Sequence, residues 1–228
     1  MKNIAIIPAR GGSKRIPRKN IRDFLGKPII AYSISAAIES QLFDEIMVST
    51  DDREIIDVAL QYGAKVPFHR SAKNSDDFAT TAEVLIEVLS EYKNNGRNFE
   101  NACCIQATAP LIQVSNLTEA YKMLDEKKLD SVFPIVRFGY PIQRALSFNE
   151  GKTFWMNKEN ADKRSQDLIP AYHDAGQFYW FNVERFLKTK LLTTENTGAI
   201  VLNEIFVQDI DDITDWRICE LKYRQING

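Results

Sequence analysis

Basic residues crowd the segment from Arg10 to Asn20, which follows a short apolar run at the start of the chain. Two adjacent glycines near its beginning allow backbone N–H groups to turn towards one anion. Lys14, Arg18 and Lys19 would supply compensating positive charge. A solvated basic loop is the plainer alternative, but the position directly after a predicted first strand favours phosphate binding.

The same loop differs from two common nucleotide-binding motifs. A Walker loop requires glycine, four residues, Gly-Lys and then Ser or Thr, and a dinucleotide fingerprint requires G-x-G-x-x-G. Neither spacing occurs in residues 9–20. ATP hydrolysis by a Walker loop and NAD binding therefore lose their main sequence support.

A second group of reactive side chains lies near the end of the chain, where Asp209 and Asp211 are two residues apart. On a strand they would share one face, about 7 Å apart, and would repel each other unless a cation lay between them. Mg²⁺ suits such a pair, because it prefers oxygen ligands and is commonly completed by substrate phosphates. Surface or capping acids are the alternative, and Asp212 and Asp215 fit a capping box.

Strand and helix patterns alternate along the chain, which is typical of βαβ units and a mostly parallel sheet. We predict strands at 3–9, 45–50, 65–69, 102–106, 131–136, 176–182, 199–202 and 206–210. We predict helices at 27–40, 53–62, 80–94, 115–126 and 213–224, with Asp77 as a cap of the third. Ligands of such sheets bind beyond the carboxyl ends of the strands.

The pattern breaks between the predicted strands at 131–136 and 176–182, where glycines, prolines and aromatic residues replace it. We therefore expect a single domain over residues 1–228 with an insertion at about 138–170. Aromatic side chains in the insertion suit either an interface or a local core.

Composition limits the classes of function. The 228 residues carry a net charge of −2, which argues against a general nucleic-acid binder, although RNA binding through the basic loop stays a weak alternative. No run resembles a signal peptide or approaches the roughly 20 apolar residues of a membrane span. We expect a cytoplasmic protein with no membrane partner.

Three cysteines, Cys103, Cys104 and Cys219, are expected to be reduced core thiols. The adjacent pair would point to opposite faces of a strand. A catalytic thiol would need a histidine, and neither His69 nor His173 is near a cysteine in sequence.

The segment from Ala9 to Asn20 resembles the amino-terminal signature of the CMP-sialic acid synthetase family, ARxGSKGIPxKN. The resemblance implies a Rossmann-like nucleotidyltransferase α/β fold, a central sheet between helices and a small dimerisation insertion. It also implies these nucleotide contacts: Arg10, Ser13 and Lys14 at the triphosphate, and Lys19 and Asn20 elsewhere on the nucleotide. Arg15 replaces the glycine that the family commonly has.

Further segments extend the resemblance over nearly the whole chain. Residues 67–81 resemble the family segment that closes over cytosine and ribose, which implies a nucleotide contact for Arg70. Residues 105–111 resemble the motif LQPTSPLR, so Gln106 and Thr108 would face the sugar. The ketodeoxyoctonate synthetases carry a metal-binding aspartate here, in a QGDEP type of motif, so Thr108 favours the sialic-like branch. The family's matching DID segment implies that Asp209 and Asp211 hold magnesium.

The insertion and the strand after it resemble the family motif RQQLPxxYxxNGAIY. Arg164 matches an arginine that binds the acceptor carboxylate, for which a planar fork is suited, and Tyr179 matches a tyrosine of the sugar pocket. The variants AYHDAGQFYW and YPIQRAL resemble the pseudaminic acid branch. They make Arg144, His173 and Gln177 candidates for acceptor selectivity, although His173 could equally be hydrogen-bonded within the insertion.

The resemblance predicts transfer of CMP from CTP to a nine-carbon sugar acid, with pseudaminic acid favoured, for glycosylation of flagellin or surface glycans. N-acetylneuraminic or legionaminic acid is the nearest alternative acceptor, and a non-catalytic nucleotide-sugar binding module is the alternative from another class. Catalysis would depend on Arg10, Lys14 and Asp211 together with Mg²⁺. The expected partners are CTP, the sugar acid and a second copy of the chain, without nucleic acid.

Overall fold

A computed structural model of the chain describes residues 2–76 and 78–228. Its helices are Ile29–Ser40 (α1), Arg53–Gln61 (α2), Thr81–Asn94 (α3), Val114–Lys127 (α4), Val183–Thr189 (α5) and Ile213–Asn227 (α6). Its strands are Asn3–Pro8 (β1), Asp23–Phe24 (β2), Lys27–Pro28 (β3), Glu45–Ser49 (β4), Asn101–Ile105 (β5), Ser131–Arg137 (β6), Leu146–Asn149 (β7), Lys152–Trp155 (β8), Tyr172–Asp174 (β9), Phe178–Asn182 (β10) and Thr197–Leu202 (β11).

The central sheet has the strand order β11-β6-β10-β5-β1-β4, and β9 pairs with β6. β1 is parallel to β4 and β5, and β6 is parallel to β11. β10 runs antiparallel to both β5 and β6. The prediction of an α/β fold with a mostly parallel sheet is therefore confirmed, and the carboxyl ends of β1, β4 and β5 lie at one edge.

Apolar side chains from both faces of the sheet form two separate buried clusters. Cys103 belongs to one cluster and Cys104 to the other, as expected for adjacent residues of a buried strand. Both thiols and that of Cys219 are free and buried. Burial raises the pKa of Cys104 and of Cys219 to about 12, which disfavours the reactive thiolate.

Two predicted strands and one helix boundary were wrong. Residues 65–69 make a single bridge, between Lys65 and Met47, and the chain then turns away towards α3. Residues 206–210 form no strand, because side chains bind their backbone: Lys222 Nζ donates to the carbonyl of Val207 at 2.6 Å. α1 begins at Ile29, since the two residues before it pair with β2.

Capping residues fix where α3 and α6 begin. Thr80 and Glu83 form a capping box at α3, whereas the predicted cap Asp77 lies outside the described residues. Asp212 and Asp215 form the predicted capping box at α6. Hydrogen bonds from the backbone N–H groups of Asp211 and Asp212 to Asp215 hold the acidic segment against that helix start.

The chain between β6 and β9 forms a hairpin, β7–β8, that is separate from the central sheet. Several large apolar side chains of this segment are exposed: Tyr140, Ile142, Leu146, Phe148, Phe154, Met156 and Ile169. Across the described part of the chain, no helix combines the length and the apolar character that a membrane crossing requires.

Candidate nucleotide-binding cleft

A polar cleft of about 300 Å³ lies at the carboxyl ends of β1 and β5. Its walls come from the basic loop after β1, from the segment between β4 and α3, and from the residues that follow β5. The cleft brings together eight of the residues singled out from the sequence: Arg10, Ser13, Lys14, Lys19, Asn20, Arg70, Gln106 and Thr108. All six nucleotide candidates and two of the seven acceptor candidates thus share one cavity.

Internal hydrogen bonds hold the basic loop in shape. The buried Asn20 donates from Nδ2 to the carbonyl oxygen of Arg10 at 3.0 Å, which closes the loop on itself. Lys19 Nζ donates to the carbonyl oxygen of Ile210 at 2.7 Å. The loop is therefore tied directly to the acidic segment, and burial lowers the pKa of Lys19.

A close approach to the start of α2 explains one of the loop glycines. A Cβ atom on Gly11 would lie 2.5 Å from Oδ2 of Asp52, so any larger residue would displace either the loop or the Asp52 side chain. The backbone N–H of Gly11 also donates to Asp51 at 3.3 Å. Glycine at position 11 thus allows the loop to pack closely against the start of α2.

Arg18 does not serve the cleft as its charge had suggested. Its backbone is left-handed, with φ of 56°, and its guanidinium binds Asp52 at 2.8 Å and Glu54 at 2.6 Å. Hydrogen bonds from Arg18 hold the pKa of Asp52 below its usual value. Arg18 therefore links the basic loop to the start of α2 and is not among the described residues that line the cleft.

The opposite wall is organised around Arg70. Its buried guanidinium donates from Nε to the hydroxyl of Ser49 at 3.0 Å and also contacts the carbonyl oxygen of Ser49. Burial lowers the pKa of Arg70, against the opposing charges of Asp51 and Glu87. A cation with so much of its hydration removed is suited to binding a polar ligand in the cleft.

The acidic segment lies beside the basic loop, although not on a strand. Asp211 forms an ion pair with Arg15, with 2.7 Å between Oδ1 and the guanidinium nitrogen, and both side chains are exposed. The expected arrangement on one face of a strand was wrong, because the backbone of 207–212 binds side chains instead of a neighbouring strand. Lys19 binds the backbone of Ile210, between the two carboxylates, and so holds them beside the basic loop, although neither carboxylate lines the cleft.

The two carboxylates fit a hard divalent cation. Burial and the nearby charge of Asp211 raise the pKa of Asp209, and Lys19 only partly opposes them. This means that the protein alone leaves negative charge at Asp209 incompletely compensated. The described residues contain no group of three or more metal-ligating side chains, so a nucleotide's phosphate oxygens would have to complete the coordination.

Two acceptor candidates, Gln177 and Tyr179, lie next to β10 and on it, near the carboxyl end of β5. The backbone carbonyl of Gln177 accepts from the N–H of Gln106 at 2.8 Å. Its side chain donates to the carbonyl of Phe206 at 2.5 Å, while its buried Oε1 has no partner among the described atoms. Tyr179 donates to Asp174 at 2.7 Å, and burial raises the pKa of its hydroxyl.

The remaining acceptor candidates have local contacts away from the cleft lining. Arg164 is exposed and pairs with Asp167 at 2.8 Å. The guanidinium of Arg144 lies over the ring of Trp155 at 5.7 Å. His173 is exposed and contacts the carbonyl of Asp174 through Nδ1 at 2.8 Å. The structure of one chain therefore does not bring these three to the nucleotide candidates.

Sequence reasoning gave no individual role to Asn74 or Asp76, which also line the cleft. Arg10 donates to the carbonyl oxygen of Asp76 at 3.0 Å, which joins the basic loop to the opposite wall. Nothing in the residue types signals these roles, because one uses a backbone oxygen and the other depends on a contact with α3.

The fold and the cleft define an α/β protein in which a basic loop after the first strand lines a polar cleft. A cytidylyltransferase family model matches residues 4–217, and the chain belongs to that family. The predicted family is thereby confirmed. The matched range includes every candidate residue of the cleft and of the insertion.

Individual relatives agree. The chain is 45% identical over 225 residues to pseudaminic acid cytidylyltransferase of Campylobacter jejuni, covering 98% of this chain and 97% of that enzyme. It is 32% identical over 242 residues to the CMP-N,N'-diacetyllegionaminic acid synthase of Legionella pneumophila, covering 100% and 98%.

Solved structures support the fold. A CMP:2-keto-3-deoxy-manno-octonic acid synthetase complexed with CTP superposes with a TM-score of 0.71, at 17% identity, over 99% of this chain and 100% of that one. The likeness confirms the predicted nucleotidyltransferase fold.

Proposed function

We propose that this chain transfers CMP from CTP to pseudaminic acid and releases pyrophosphate. The observation that carries the proposal is the single cleft lined by all six nucleotide candidates. The choice of acceptor is supported by the 45% identity to a pseudaminic acid enzyme, against 32% to a legionaminic acid enzyme.

The reaction is an in-line displacement in which the anomeric hydroxyl of the sugar attacks the α-phosphate and pyrophosphate leaves. Arg10 and Lys14 line the cleft and stabilise negative charge on the phosphate oxygens. No protein nucleophile is required, which agrees with the burial and raised pKa of the cysteines. Each charge-assisted contact is worth about 1.5 to 3 kcal/mol, or roughly one to two orders of magnitude in rate.

We propose that Asp209 and Asp211 hold Mg²⁺ together with the triphosphate. The cation would supply charge neutralisation on the phosphate oxygens. Within the chain, Lys19 lies between the acidic segment and the cleft lining, because it donates to Ile210 and also borders the cavity. It therefore orients the two charged elements relative to each other. Arg15 pairs with Oδ1 of Asp211, so the metal would bind through the other carboxylate oxygen or displace Arg15.

Acceptor binding is proposed to involve a second copy of the chain. Gln106 and Thr108 lie in the cleft, whereas Arg164 lies on the insertion. A homodimer formed through the exposed apolar side chains of the insertion would cover Phe148 and Ile169, which are 73% and 82% exposed. It would also offer the insertion of one copy to the cleft of the other.

A panel of acceptors tests the proposal directly. The protein is incubated with CTP, Mg²⁺ and either pseudaminic, N-acetylneuraminic or N,N'-diacetyllegionaminic acid, and pyrophosphate release is measured. We expect the highest kcat/KM with pseudaminic acid. Equal or faster turnover of another acid would contradict the acceptor assignment, and CTP binding without turnover of any acid would favour a non-catalytic binding module.

A further inference from the structure

The segment that forms one wall of the cleft is held by several distant parts of the chain. We call residues 70–76 the nucleotide wall. At its start, the N–H of Arg70 donates to the carbonyl of Thr50 at 3.0 Å. At its end, the carbonyl of Asp76 accepts from Arg10 at 3.0 Å. The middle of the wall, which has no strand or α-helix of its own, requires a separate anchor.

Glu87 on α3 is that anchor. Its carboxylate accepts from the backbone N–H of Ser71 at 2.7 Å and from the hydroxyl of Ser71 at 2.9 Å. It also accepts from Nδ2 of Asn74. Burial alone would raise the pKa of Glu87, but these hydrogen bonds outweigh it and lower the pKa. The carboxylate is therefore charged at neutral pH and binds donors from two residues of the wall.

The chemistry of the carboxylate also fixes the orientation of Asn74. An ionised carboxylate accepts hydrogen bonds and donates none, so the amide nitrogen of Asn74 must face Glu87. Asn74 and Arg70 both line the cleft, whereas Glu87 lies behind them and is not part of the lining among the described residues. The negative charge of Glu87 also opposes the lowering of the pKa of Arg70 by burial.

We infer that Glu87 is a positioning residue for nucleotide binding, which acts through Ser71 and Asn74 to hold the nucleotide wall in its cleft-lining conformation. This inference rests on the proposed function, because it takes the cleft to be the CTP site. The loss of two or three hydrogen bonds to a charged acceptor should weaken CTP binding, since the wall must then be ordered by the ligand.

A pair of complementary substitutions tests the inference. Glu87→Gln sets an amide N–H against the donors of the wall, and Asn74→Asp sets a second carboxylate against Glu87. In the double variant the amide at position 87 can donate to the carboxylate at position 74, which restores a donor–acceptor pair. Glu91→Gln is the matched control, because Glu91 is exposed on the same helix one turn later.

Calorimetry gives the Kd for CTP, and steady-state assays give kcat and each KM. We expect each single variant to raise the Kd and the KM for CTP about tenfold, with kcat and the KM for the sugar acid changed less than about twofold. We expect the double variant to recover to within about threefold of the wild type, and Glu91→Gln to match the wild type. Thermal melting of each variant checks that it is folded.

Unaltered CTP binding by Glu87→Gln, or a double variant no better than the worse single variant, would overturn the inference. If Glu87→Gln fails to fold, Ser71→Ala removes one hydrogen bond to Glu87 at a residue outside the cleft lining, and it should still weaken CTP binding about threefold. The absence of CTP binding by the wild type would contradict the proposed function as well. Normal wild-type binding with unaffected variants contradicts the inference alone.

Discussion

The cleft and the insertion are held together in different ways. In the cleft, polar side chains bind partners far along the chain: Lys19 contacts Ile210 across 191 residues, and Arg10 contacts Asp76 across 66. In the insertion, Arg164 binds Asp167, three residues away, and large apolar side chains face solvent. One chain thus fixes its candidate nucleotide site by folding, whereas its insertion leaves large apolar side chains exposed.

The largest effect is expected at the acidic segment beside the cleft, where removing one carboxylate should abolish most activity. Asp209→Asn should reduce turnover at least about 100-fold, because the metal and the triphosphate lose a charged ligand. Melting temperature should not fall, since burial already disfavours the charged form of Asp209. Pyrophosphate release at saturating CTP and Mg²⁺ measures the effect.

Asp212→Ala provides the contrast for this substitution. Asp212 caps α6, so its loss should cost about 1 kcal/mol of stability and leave turnover within a few-fold of the wild type. Wild-type turnover by Asp209→Asn would show that the metal assignment is wrong.

A smaller effect on one substrate is expected in the insertion. Arg164→Ala should raise the KM for the sugar acid about tenfold and leave the KM for CTP unchanged, because the proposed contact is a fork to the acceptor carboxylate. Lys163→Ala removes a neighbouring charge and should change neither constant. A rise in the KM for CTP instead would indicate that Arg164 contacts the nucleotide. It would contradict the proposal that the cleft binds CTP while the insertion binds the sugar acid.

The proposed covering of the insertion is tested by its oligomeric state. Phe148→Asp should convert a dimer to a monomer at micromolar concentration in sedimentation velocity and lower turnover several-fold, without unfolding the chain, because Phe148 is exposed. Leu221→Asp is the control, since Leu221 on α6 is 67% exposed but lies outside the insertion. A wild-type protein that sediments as a monomer would contradict the proposed dimer.

The smallest effect is expected for the ion pair between Arg18 and Asp52, which links the basic loop to α2. Arg18→Gln should cost about 1 kcal/mol of stability at pH 7, a value typical of a partly exposed ion pair. Hydrogen bonds from Arg18 lower the pKa of Asp52, so this contribution is present above the unfolded pKa of about 3.9 and is lost as the pH falls through the folded value. Urea unfolding at pH 7 and near pH 2 measures the difference, and a constant difference would argue against the pair.

The sequence was sufficient to predict most of the fold and to single out six residues that share one cleft, because these residues are local signals. The glycines and basic residues after β1 mark a loop whose position is set by the strand before it. Contacts between distant segments carry no such signal. Arg18 was expected to supply charge to the phosphate site, because the sequence shows its positive charge but not that Asp52 binds it.

The acidic segment likewise depends on contacts with distant residues that its own sequence does not reveal. Period-two spacing predicted a strand at 206–210, but the side chains of Lys19 and Lys222 bind the backbone of this segment. Lys19 is 191 residues away from Ile210 along the chain, and Lys222 lies on α6. The role of Glu87 likewise depends on how α3 packs behind the nucleotide wall, which spacing along the chain does not encode.

We propose that the basic loop and the acidic segment hold one nucleotide between them. A crystal structure of the protein with CTP and Mg²⁺ tests this most directly. We expect the triphosphate within hydrogen-bonding distance of Ser13 and Lys14, with a cation bound near Asp209. A nucleotide bound in another cavity, or a cation far from Asp209 and Asp211, would contradict the account.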